Sequence, residues 1–76
     1  MVTRRLQKQL DNGDIFIEIK YFPWSLEVTV GMIEDLKDTP IGERIMLSSQ
    51  DIGKWLTLEM DLLTKTSRYY LSETKI

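Results

Sequence analysis

Ser49-Gln-Asp-Ile-Gly-Lys-Trp-Leu-Thr-Leu-Glu-Met-Asp-Leu-Leu-Thr-Lys-Thr-Ser-Arg-Tyr-Tyr-Leu71 is the stretch whose reading decides the fold. Its apolar residues include Ile52, Trp55, Leu56, Leu62, Leu63, Tyr69 and Tyr70. Spacings of three, four and seven match the repeat of an amphipathic helix. The opposite stripe is Lys54, Thr57, Asp61, Thr64, Lys65 and Arg68, with Asp61 and Lys65 placed for an i,i+4 pair. Ser48 or Ser49 supplies the N-cap, and Asp51 reaches back toward Ser48 as in a capping box. The pattern predicts one helix over residues 49–71, about 33 Å long at 1.5 Å per residue. Thr64-Lys-Thr-Ser67, a run of poor helix formers, is where it would break.

The helical reading has two consequences. Leu58 and Met60 widen the apolar arc to more than half the circumference, whereas packing on one sheet face needs a stripe of roughly 100°. Glu59 falls in the middle of that arc, where a carboxylate must be paired, protonated or snorkelling. A salt bridge to Arg44 or Lys20 on the sheet is one resolution. A polar anchor in a helix-mediated interface is the other.

Upstream, the signals are those of strands. Asp11-Asn-Gly-Asp14 carries the Asn12-Gly13 pair preferred in two-residue hairpin turns. After it, Ile15, Ile17, Ile19 and Tyr21 alternate onto one face, and Phe16, Glu18, Lys20 and Phe22 onto the other. Before it, Val2, Leu6 and Leu10 share a face with Arg4 and Lys8. A hairpin over about residues 3–22 follows. Pro23 ends that pattern, because proline cannot donate to a ladder. Leu26-Glu-Val-Thr-Val30 alternates again and predicts a third strand over 26–30, ended or bulged by Gly31. Met32 to Lys37 reads as a short helix or turn with Ile33 and Leu36 inward. Asp38-Thr-Pro40 reads as a breaker. Residues 43–47 predict a fourth strand with Ile45 and Leu47 on one face.

The expected fold class is therefore α+β: an antiparallel sheet of three to four strands packed by one long C-terminal helix. The expected core is Ile15, Ile17, Ile19, Tyr21, Val28, Val30, Ile45, Leu47, Ile52, Trp55, Leu56, Leu62 and Leu63. Seventy-six residues hold one small domain, 1–76. A compact fold of this mass has a surface of roughly 4,900 Å².

Composition narrows the chemistry. The chain has no cysteine and no histidine. That removes disulfides, thiolate nucleophiles, zinc fingers and histidine-based hydrolases. The remaining carboxylates lack the spacing of a calcium loop. Asp11 and Asp14 suit a turn, and Gly31, Gly42 and Gly53 form no phosphate-binding loop. No catalytic residue, metal or cofactor is assigned, and the chain is expected not to be an enzyme. The longest apolar run is three residues, far below the roughly 20 of a membrane span. With no secretory signal and no cysteine, the expected location is cytoplasmic.

Net charge is −2, but residues 21–51 hold six acidic and only two basic side chains. Glu27, Glu34, Asp35, Asp38 and Glu43 form the candidate acidic patch. It reads as a solvated face, or as a surface that meets a basic partner. Trp24, beside a proline in a loop, is a candidate contact residue, as tryptophan is enriched in binding hot spots.

These features predict a small protein-interaction module: an adaptor, inhibitor or regulatory subunit of the kind common in phages and mobile elements. Its partner would be another protein or a second copy of itself. The contact set would be Trp24, Leu58, Glu59, Met60 and Tyr70. The second reading is a dimeric nucleic-acid-binding regulator using Arg4, Arg5, Lys8, Lys20 and Arg68. Lys20-Tyr-Phe-Pro-Trp24 and Arg68-Tyr-Tyr70 interleave cations and rings as single-strand binders do.

Overall fold

The computed structural model describes residues 2–51 and 53–75. In chain order the strands are β1 (Val2–Leu10), β2 (Gly13–Tyr21), β3 (Ser25–Glu34), β4 (Lys37–Pro40), β5 (Ile45–Ser48), β6 (Trp55–Asp61) and β7 (Thr66–Ser72). A single 3-10 turn, Ser49–Asp51, follows β5. The described residues contain no α-helix, so the α+β expectation is overturned: the chain is antiparallel β in two sheets. Among the described residues no helix is long and apolar enough to cross a membrane.

The first sheet runs β1-β2-β3-β4, and β5 also pairs β3. β4 lies against residues 31–34 of β3 and β5 against residues 25–28, so the two share one edge of that strand. Between them the register slips by two residues. Gly31 opposes Pro40, whereas Val28 opposes Ile45. Residues 41–44 form the resulting bulge, held by Ile41 N donating to Val30 O at 2.8 Å.

The N-terminal hairpin forms, one residue off the expected turn. Leu10 pairs Gly13, so the loop residues are Asp11 and Asn12. Gly13 takes the positive φ of 137° as the first residue of β2. The third strand is longer than expected. It runs through Gly31 to Glu34 and turns at Asp35 and Leu36, both left-handed with φ of 50° and 65°. That is a two-residue hairpin turn whose twist matches the flanking strands. It overturns the inward placement of Leu36, which is 98% exposed. Asp38-Thr-Pro40 is not a breaker but the body of β4, where Pro40 is tolerated because the strand is short and at the edge.

The predicted helix is a hairpin. In β6 the residues Leu56, Leu58 and Met60 point one way, and Trp55, Thr57, Glu59 and Asp61 the other. The first three and Leu71 of β7 pack against the buried cluster Val28, Val30, Ile45 and Leu47. Period two thus replaces period 3.6. The break expected at 64–67 is the turn itself. Asp61 Oδ1 accepts from Leu63 N at 3.0 Å and Thr64 N at 3.3 Å, and Lys65 takes a φ of 56°. An aspartate that caps a turn in this way needs no helix after it. The expected Asp61–Lys65 pair is absent, as Lys65 Nζ lies 3.1 Å from Glu34 Oε1 on β3.

The core follows from this packing. Val28, Val30, Ile45 and Leu47 are buried as expected, and Ile17, Ile19 and Leu56 are half-buried against them. Ile15 and Leu62 are half-buried. Tyr21, Trp55 and Leu63 are exposed, the last at 94%. Ile52 lies outside the described residues. Two core members were not expected. Ile41 is buried under the bulge, where Ser67 Oγ donates to its carbonyl at 3.0 Å. Phe16 is buried on the opposite face of the sheet from Ile17 and Ile19. Its ring lies across Gly31, its partner on β3, beneath the Arg5 guanidinium at 4.6 Å.

Gly31 is required by that contact. A Cβ there would meet Phe16 ring carbons at 2.7 and 2.9 Å and collide with the Thr39 carbonyl. Gly31→Ala is expected to cost about 1–3 kcal/mol, the usual range for overpacking. Urea unfolding checks this, and a cost under about 0.5 kcal/mol would show that the neighbours yield freely.

Candidate interaction surface

The acidic patch is largely neutralised by its neighbours. Arg44 Nη1 donates to Glu27 Oε1 at 2.9 Å, and Lys65 meets Glu34. Arg5 forks onto Asp38 with two bonds of 2.8 and 2.7 Å, and also lies 3.5 Å from Glu18. Only Asp35 and Glu43 of the five lack an ion pair among the described residues. The residues therefore tie strands together rather than form one continuous field.

The basic set is dispersed in the same way. Arg5 is committed to Asp38 and to the Phe16 ring. Arg68 Nε donates to Glu59 Oε2 at 2.6 Å. Lys20 opposes Glu27 on β3, on the sheet face away from the second hairpin. Arg4 and Lys8 stand on the face toward that hairpin, exposed and without an ion pair among the described residues. No single stripe collects these five cations.

The expected contact set divides into three. Leu58 and Met60 are half-buried and pack on the core. Glu59 and Tyr70 do meet, on the outer face of the second hairpin, where Tyr70 Oη donates to Glu59 Oε1 at 3.3 Å. Glu59 is thus paired with Arg68, its cross-strand partner, and not with Arg44 or Lys20. Beside them Lys75 Nζ sits 5.4 Å over the Trp55 ring. Trp24 lies elsewhere, at the tip of the β2–β3 hairpin, and is 81% exposed. The tip is closed by Phe22 N donating to Ser25 O at 2.9 Å. Phe22 and Tyr21 are also exposed there, and Val2 of β1 stands opposite Tyr21.

Val2, Leu6 and Leu10 were not in the expected contact set. They are 67%, 58% and 38% exposed along β1. The signal was their shared face with Arg4 and Lys8. Among the described residues no group of three or more carboxylates is placed to hold a metal ion.

Two carboxyls are held below the usual aspartate range. For Asp38 the cause is the hydrogen bond from Arg5, and for Asp51 it is first the backbone N–H of Ser48, then Lys54. A lowered folded value means that the stabilisation is complete above the ordinary aspartate range. It is lost as pH falls through the folded value. Asp38→Asn should therefore lower the urea midpoint at pH 7, and the difference from the parent should vanish in acid. A gap that persists at low pH would assign the effect to packing instead.

No protein-family model matches the chain, and neither a curated protein nor a solved structure matches it.

Proposed function

We propose that the chain is a small non-enzymatic protein-interaction module, an adaptor, inhibitor or regulatory subunit. The observation that carries this reading is surplus surface. The chain exposes 5982 Å², against roughly 4,900 Å² for a compact monomer of its mass. Its radius of gyration is 13.0 Å, and its extents are 36 × 30 × 18 Å. A compact chain of this length would have a radius of gyration near 11.4 Å. The excess is on the order of what each partner contributes to a standard interface, about 800 Å². Much of it is apolar: Val2, Leu6, Tyr21, Phe22 and Trp24 are all exposed on β1 and the β2–β3 tip. A tryptophan at 81% exposure is the natural anchor of such a surface.

Contact through a long helix is withdrawn, since β6 and β7 replace it. The dispersal of the five cations speaks against the nucleic-acid reading. A cytoplasmic setting belongs to the proposal and rests on the absence of cysteine.

Capture from cells of origin with the parent and with Trp24→Ala tests this. The parent should enrich one protein at least tenfold over the variant, whose fold should be unchanged because the side chain is exposed. Identical recoveries would remove Trp24 as the anchor. Retention on generic DNA that falls steeply with salt would replace the proposal with the nucleic-acid reading.

A further inference from the structure

Resting on the interaction-module reading, we propose that the free edge of β1 receives an extended strand of a partner protein whose side chains alternate apolar and acidic. Among the described residues β1 pairs only with β2, so its other edge carries unpaired backbone donors and acceptors along nine residues, about 30 Å. Its register with β2 is continuous from Val2 to Leu10, with no bulge, proline or glycine to interrupt a further ladder.

The side chains define what fits. Toward the second hairpin, β1 presents Val2, Arg4, Leu6, Lys8 and Leu10 in alternation. Those positions share the face on which Val28 and Val30 are buried, but β1 itself stays open. Toward the other face it presents Thr3, Gln7 and Gln9, which are uncharged, and Arg5, already bound to Asp38. An added strand would place apolar residues beside Val2, Leu6 and Leu10, and acidic residues beside Arg4 and Lys8. Directly opposed pairs of these kinds are what stabilise neighbouring strands.

The same charges disfavour a second copy in the fully overlapped register. In the antiparallel pairing centred on Leu6, Arg4 of one copy faces Lys8 of the other. Like charges opposed in a ladder are unfavourable, and basic residues are a common guard against edge-to-edge association. The edge thus discriminates by repulsion as well as attraction.

The probe is a nine-residue peptide, Val-Thr-Glu-Thr-Leu-Thr-Glu-Thr-Val, whose symmetric pattern fits either strand direction. Its control carries lysine at both glutamates. Titration calorimetry should show the glutamate peptide binding about tenfold more tightly than the control. Hydrogen exchange should slow at the β1 amides that do not bond β2. The double variant Arg4→Glu, Lys8→Glu should invert the preference. Failure of both peptides to bind, or a preference that survives the charge reversal, would overturn the inference. So would a dimer of the parent that Leu6→Lys dissolves, since the edge would then belong to a second copy. Trp24-dependent capture that persists undiminished in the charge-reversed variant would leave the module reading standing and remove this one.

Discussion

One apolar sheet face must be buried, and among the described residues only a two-stranded hairpin is available to bury it. The first sheet is four strand positions wide, because β4 and β5 share the last one. At about 4.8 Å per strand the hairpin covers roughly half that width. It sits over Val28, Val30, Ile45 and Leu47, which become the core. The bulge at 41–44 and the Ser67–Ile41 bond hold it at the β4–β5 side. A Cβ on Gly42 would run into the Ser67 side chain, so the approach there is close. β1, at the far side, is left uncovered. The open edge and the surplus surface are therefore consequences of how the core is closed.

The opposite face is stabilised differently. It is largely polar, and Phe16, its buried apolar side chain, is covered by backbone and charge rather than by another layer, while Ile33 and Met46 on the same face stay half-buried and exposed. Gly31 lets the ring lie on the sheet, and Arg5 covers it while reaching Asp38 on β4. One arginine therefore links β1, β2 and β4 across β3. The cross-links consume much of the acidic and basic complement of the chain. That explains why charges dense in the middle of the sequence form no continuous patch on the molecule.

Most of the first sheet was legible in the residues; β4 and the end of β3 were not, because Gly31 and Pro40 read as the ends of strands. The alternation of 15–21 and 26–30, the Asn-Gly turn and the pairing of Ile45 with Leu47 all carry period two. The second hairpin was not, because Trp55, Leu56, Leu62, Leu63, Tyr69 and Tyr70 also fit a helical repeat. The contrary signs were the over-wide apolar arc and the misplaced Glu59. Both vanish at period two, which sends Leu58 and Met60 inward and Glu59 outward to Arg68. Thr57, Thr66, Tyr69, Tyr70 and Trp55 are also strand formers, a propensity that the spacing argument overrode. Phe16 was hidden because its burial depends on Gly31 and Arg5, distant in sequence. Among the proposed contact residues, the exposure of Trp24 was legible from its loop. The β1 set was not, since its exposure depends on the width of the covering hairpin.

Residues 55–72 close the core as an antiparallel hairpin. Nuclear Overhauser spectroscopy of the intact chain tests this most directly. Cross-strand contacts between Leu56 and Leu71, and between Glu59 and Arg68, are predicted, together with contacts from Leu58 to Val28 or Val30. A ladder of contacts between residues three apart along 55–71, without those pairs, would contradict it and restore the helix.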